Sequence, residues 1–133
     1  EAGLEFDPAL AVDPRGHSVI RGYLAMEALM ATPAQPTAVF SANDSLALGA
    51  LRWCIKHKLT VPDDMAIIGF DNIEFAEHAV VPLSSVNYPV DIVTELAVER
   101  LMSLITAGDE LPTPRVTQID PEVIVRDSTL TKG

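Results

Sequence analysis

Two short, solidly apolar runs do most to limit what this chain can become: TAVF at 37–40 and MAIIGF at 65–70. Both are rich in β-formers and lack the alternation of a half-solvated strand, so both are expected as strands buried on two faces. Each run is followed by a polar pair, Asn43–Asp44 in SAND and Asp71–Asn72 in FDN. Between them the pattern turns helical over 45–57: Ala47, Leu51 and Cys54 share one face, with Leu48 and Ile55 beside it. Lys56, His57 and Lys58 close that helix, where positive charge suits the dipole.

The same alternation continues on both sides. EAGLEFDP at 1–8 reads as a helix exit, ALAV at 9–12 as a short strand and DPRG at 13–16 as a turn. Ser18 is placed to cap a helix whose inward face is Val19, Tyr23, Met26 and Met30, and TPAQP ends it. DNIEFAEH at 71–78 reads as a turn plus one helical turn, and LSSV at 83–86 as a third strand. A helix is expected from Asp91 to Ala107, with Val93, Leu96, Ala97, Leu101, Leu104 and Ile105 inward and Gly108 as its C-cap. VTQI and EVIV read as short strands around Pro121, and the tail 127–133 as polar and mobile. Solid strands alternating with helices define an α/β chain with a parallel sheet covered on both faces.

Composition removes several function classes. A formal charge of −10 repels phosphate backbones, so these 133 residues are not expected to hold nucleic acid themselves. No segment is long and apolar enough to cross a membrane. The single cysteine, Cys54, allows no internal disulfide and suits a reducing compartment. There is no Gly-rich phosphate loop, no CxxC and no HExxH, and His17, His57 and His78 are scattered, so neither a metal nor a cofactor is expected. Ser84 and Ser85 lack a nucleophile-elbow context, so no catalytic residue is assigned. Trp53 falls on the helix face opposite Leu51 and Cys54, where an exposed indole marks a protein interface.

In open parallel sheets, ligands bind beyond the carboxyl ends of the strands. Adjacent strands would bring Asn43–Asp44 and Asp71–Asn72 to one such rim. An amide and a carboxylate suit hydroxyls, amines or ring nitrogens and make a poor phosphate cradle. For Asp44 the expected role is helix capping; for Asn43 and Asp71 a cap or turn and a ligand contact are both open.

Four stretches taken in order, VFSANDSLALGAL, VPDDMAIIGFDN, PLSSV and PEVIVRDST, resemble the ligand-binding domain of the lac/gal repressor family of bacterial transcription regulators, along essentially the whole chain. That resemblance implies two Rossmann-like subdomains of the periplasmic-binding (type I) kind, with an effector in the cleft. Operator DNA would be read only by a separate N-terminal helix-turn-helix that this chain does not contain. By the resemblance, residues 1–88 are part of the C-terminal, effector-binding subdomain, which is incomplete here. Residues 89–117 are a crossover and a helix of the N-terminal subdomain, and 118–133 are a C-terminal strand and tail. Asn43 would reach effector hydroxyls and Asp71 would contact the effector. His17 stands where a stacking aromatic is usual, and Tyr88 where the chain crosses between subdomains. Leu48 and Ala79, together with Trp53, would meet a second subunit of a homodimer. Lys58 replaces the glycine usual at the helix end, and a left-handed conformation there would strain it. The chain begins at Glu1, not Met, and is expected to be a fragment whose cleft arginine lies upstream.

The expected function is therefore the effector-binding and dimerisation region of a cytoplasmic transcriptional regulator, a repressor. It would answer a sugar, a sugar acid or a nucleoside-like molecule and would not be an enzyme. The alternative is a periplasmic sugar-binding protein of an ABC transporter. An α/β enzyme using Asp71 with His78 or His57 ranks third.

Overall fold

A computed structural model describes residues 3, 5–107, 113 and 116–130. Its elements are a 3-10 turn Pro8–Leu10, α1 Val19–Met30, β1 Ala38–Phe40, α2 Asp44–Lys56, β2 Ala66–Phe70, α3 Glu74–Glu77, β3 Ser84–Asn87, α4 Val90–Thr106 and β4 Glu122–Ile124. The sheet order is β1-β2-β3-β4. β1 pairs parallel with β2, Val39 opposite Ile67, and β2 pairs parallel with β3, Gly69 opposite Ser85. The expected α/β fold forms, with a sheet that is parallel across β1, β2 and β3.

Two compact units divide the chain: Glu1–Asn87 with Val123–Gly133, and Tyr88–Glu122. The first holds the core, in which Met26 and Leu29 of α1, Ala47, Ala50, Leu51 and Cys54 of α2, Met65, Ile67, Ala76 and Leu83 are buried together. Two glycines set the spacing of α1 and α2. A Cβ on Gly22 would overlap the Leu46 carbonyl oxygen, and one on Gly49 would overlap the Val19 carbonyl oxygen. The buried face of α1 is therefore Gly22, Met26 and Leu29, not the expected stripe through Val19 and Met30, because contact with α2 is closest where no side chain intervenes.

α2 ends in the left-handed conformation that would strain a lysine. Lys58 has φ 62, its N–H donates to the Ile55 carbonyl at 3.1 Å and the Leu59 N–H donates to the Cys54 carbonyl at 3.0 Å. This is the paired C-terminal closure that favours glycine, here held by a strained lysine while Leu59 packs on the core.

Several expectations are corrected. ALAV is not a strand: Asp7 accepts the Ala9 N–H at 2.9 Å and Pro8 opens a 3-10 turn, so the Asp-Pro start outweighs four apolar residues. β1 is an edge strand with Phe40 65 % exposed, not a buried one. VTQI is irregular and only Glu122–Ile124 of the second run pairs. The tail is not loose over 127–129. Ser128 is fully buried, its hydroxyl donates to the Ile67 carbonyl at 2.6 Å and accepts the Ser84 N–H at 2.8 Å. In the second unit, α4 forms as expected, yet none of its residues is buried. Gly108 and residues 131–133 lie outside the described residues.

Candidate functional site

β1 delivers the SAND segment to the carboxyl edge of the sheet, where Ser41 N–H still donates to the Ile68 carbonyl at 2.9 Å. Asn43 is extended, and its Oδ1 accepts the Leu46 N–H at 2.8 Å, which makes it the N-cap of α2. With Oδ1 so committed, Nδ2 is the free donor, and it lies 3.3 Å from His17 Nδ1. That ring nitrogen then accepts, leaving the proton on Nε2. The structure thus joins His17 and Asn43, 26 positions apart in sequence.

The next strand ends beside them in the sheet order. Asp71 and Asn72 follow β2 with φ of 100° and 52°. Asp71 N–H donates to the Val86 carbonyl at 3.0 Å, so the turn grows out of the β2–β3 ladder. Left-handed non-glycine residues are costly and persist only where neighbours over-determine them. Here the determinant is Asp44, which is not the cap that the sequence suggested, since Asn43 takes that role. Asp44 is fully buried, accepts the Ser85 hydroxyl at 2.7 Å and accepts the Ile73 N–H at 2.9 Å. Ser85 Oγ in turn accepts the Asn72 N–H at 3.0 Å. A Cβ on Gly69 would overlap Asp44 Oδ1. A glycine facing the carboxylate and Ser85 inside an apolar strand were the sequence signals for this network.

Partial burial, and after it the charge of Asp44, hold the Asp71 carboxyl above its ordinary 3.8. The side chain itself is exposed, so solvent screens both effects.

The other sequence candidates lie elsewhere. Tyr88 is 41 % exposed and opens the second unit. Leu48 and Ala79 are half-buried against the core of the first. Trp53 was expected exposed and is only 7 % so. α2 is enclosed on more than one side, and the indole stacks on His57 with ring centroids 3.9 Å apart. Its Nε1 is buried with no hydrogen-bond partner among the described residues. His57 Nδ1 lies 2.8 Å from the Trp53 carbonyl at the opposite end of α2 from Asn43, about 20 Å away along 13 residues of helix. His57 therefore sits at the far end of α2 from the Asn43 cap. Among the described residues no three His, Cys, Asp or Glu side chains cluster as metal ligands, and no helix is long and apolar enough to cross a membrane. An apolar groove of about 720 Å³ lies along β1, lined by Phe6, Leu10, Met26, Leu29 and Phe40 among others. None of the candidate rim residues lines it.

Residues 1–129 match the model of the periplasmic binding protein-like domain. The chain belongs to that family. Within it, the chain is 41 % identical over 107 residues to the "Probable HTH-type transcriptional repressor ExuR" of Bacillus subtilis strain 168, covering 80 % of this chain and 32 % of that protein. The transcriptional regulator CelR, solved in complex with cellobiose, superposes with a TM-score of 0.83 at 32 % identity, over 96 % of this chain and 38 % of CelR. A Sanguibacter keddieii protein described as a transcriptional regulator of the LacI family gives 0.86 at 31 % identity, over 96 % of this chain and 47 % of that one. The expected resemblance to lac/gal repressors and the periplasmic-binding-like fold are borne out. This periplasmic binding protein-like chain spans about a third of the length of the curated relatives it matches, and those relatives are transcription regulators.

Proposed function

We propose that this chain is the effector-binding and dimerisation region of a bacterial transcriptional repressor that answers a sugar or related small molecule. The observation that carries the reading is the pairing of His17 with Asn43 at 3.3 Å at the end of β1, next to the strand that ends in the left-handed Asp71. Together they offer an amide, a carboxylate and a planar ring on one edge, groups suited to hydroxyls. The match to CelR in complex with cellobiose supports a sugar as the ligand class. Tyr88 adds a phenol from the segment that leaves the first unit. In this reading residues 1–88 form part of the C-terminal subdomain, 89–117 a crossover and helix of the N-terminal one, and 118–133 the returning strand and tail. Operator DNA is read in the cytoplasm by a helix-turn-helix outside this chain, and no chemistry is catalysed.

Calorimetry on the intact protein with cellobiose, glucose, ribose and galacturonate tests it. For the sugar that binds, Asn43→Asp keeps the cap oxygen but removes the donor, and Asp71→Ala removes the carboxylate. Each is expected to weaken binding by about 1–3 kcal/mol, the cost of stranding polar groups of the bound ligand. Unchanged affinity in both variants, or binding of none of the four, overturns the assignment.

The same reading places a two-fold interface on Leu48 and Ala79, backed by Trp53. Leu48→Glu would leave an uncompensated charge between subunits and shift the intact protein toward monomer. Sedimentation at micromolar concentration checks this; a folded Leu48→Glu dimer puts the interface elsewhere.

A further inference from the structure

The Asn72 side chain uses both ends of its amide. Oδ1 accepts from Arg126 Nη2 at 2.9 Å, and Nδ2 donates to Asn87 Oδ1 at 3.2 Å. A guanidinium only donates, so the Arg126 contact fixes which way the amide points. The other arm of that guanidinium donates to the Leu83 carbonyl at 2.8 Å, a fork that holds the arginine in place. The two partners have a position in common. Asn87 is the last residue of the first unit before the chain leaves for the second, and Arg126 lies three residues after it returns at Val123. Both residues lie in the first unit and flank the two places where the chain passes to and from the second, and one side chain binds both.

Asn72 is also peptide-bonded to Asp71. Both residues have positive φ, and the Asn72 N–H is tethered to Ser85, whose hydroxyl is tethered to buried Asp44. With its backbone so anchored, Asn72 cannot follow a rotation of the Asp71 peptide without swinging its own Cβ and loosening both side-chain bonds. Hinge positions are a few element-terminal residues that absorb such changes.

We propose that Asn72 is a positioning residue that ties the Asp71 turn to both segments flanking the passages between the units; the Asp71 N–H also reaches the Val86 carbonyl directly, so the returning segment at Arg126 is the one that a change at the rim reaches through the Asn72 amide. Only the nature of the signal, an effector at Asp71, rests on the function proposed above; the tie itself is independent of any ligand.

Hydrogen exchange on the intact protein without added sugar tests the tie. Asp71→Gly perturbs the rim while allowing positive φ. It is expected to change exchange at 87–88 and at 124–127 by about threefold or more, the scale of coupling carried by such networks. In an Asn72→Gly background, which also allows positive φ, the same substitution is expected to leave 124–127 unchanged, while 87–88 still responds through the Asp71 N–H to Val86 carbonyl bond. A merely structural Asn72 would instead speed exchange and leave the response to Asp71→Gly intact, which overturns the proposal. Asn72→Asp still accepts from Arg126 but cannot donate to Asn87, so it is expected to restore the response at 124–127. Should Asn72→Gly unfold the first unit, Arg126→Gln decides. It must abolish the response at 124–127 and keep it at 87–88, and loss at both or at neither refutes the tie. Failure of sugar binding leaves this result untouched, and failure here leaves the sugar reading untouched.

Discussion

Gly49→Ala is expected to destabilise the protein by about 2–3 kcal/mol, even though alanine is the better helix former by about 1 kcal/mol. The added methyl would overlap the Val19 carbonyl oxygen and lie 2.6 Å from the Tyr23 nitrogen and 2.8 Å from Gly22 Cα. All three are backbone atoms of α1, so no side chain can rotate away. The helices must part, and parting them opens the layer that holds Met26, Ala50 and Cys54. Urea unfolding monitored at Trp53, the single tryptophan, reads the loss as a lower midpoint at unchanged slope. Gly22→Ala meets the Leu46 backbone in the same contact. Once the helices have parted for one methyl, the second costs less, so the double variant is expected to fall short of the sum. A Gly49→Ala midpoint at or above the parent's means that the close helix contact is not what the glycine serves.

How far the sequence alone reaches can be seen at the SAND segment. The apolar runs predicted β1 and β2 within a residue because period and length are local properties. The resemblance pointed to Asn43 and Asp71, and the structure puts them at the ends of paired strands. What local reasoning reversed was the pair itself. Aspartate and asparagine cap helices about equally well, so nothing within five residues says that Asn43 caps while Asp44 is buried. That choice is made by Gly69 and Ser85, 25 and 41 positions away. Trp53 and the tail failed for the same reason. Trp53 joins a core assembled from residues 26–83, and Ser128 is held by the Ile67 and Ser84 backbones. Lys58 succeeded because the helix-end geometry that strains it is local.

Asp44→Ala is expected to cost about 3–4 kcal/mol, the largest effect of any single substitution at the rim. The carboxylate satisfies the Ser85 hydroxyl and the Ile73 N–H in a fully buried position. Each donor left without an acceptor costs about 1–3 kcal/mol, and the vacated space beside Gly69 adds a cavity term. Asp44→Asn keeps the shape and one acceptor oxygen, so one of the two donors stays satisfied and about 1–2 kcal/mol is expected. The order Ala below Asn below parent is the signature of a carboxylate acting as a double acceptor. A residue serving only to fill volume would leave Asn level with the parent. The pH profile supplies a second check. Asp71 has a folded pKa above its ordinary 3.8, from burial first and the Asp44 charge second. A raised carboxyl binds protons more tightly when folded, so its contribution is present below 3.8 and is lost as pH rises through the folded value. Asp44→Asn removes the like charge, so the stability lost between acid and neutral pH is expected to shrink. In Asp71→Asn, with no carboxyl to titrate there, that part of the pH dependence is expected to vanish. A decline in Asp44→Asn as steep as the parent's would mean that the Asp44 charge is not felt at the rim.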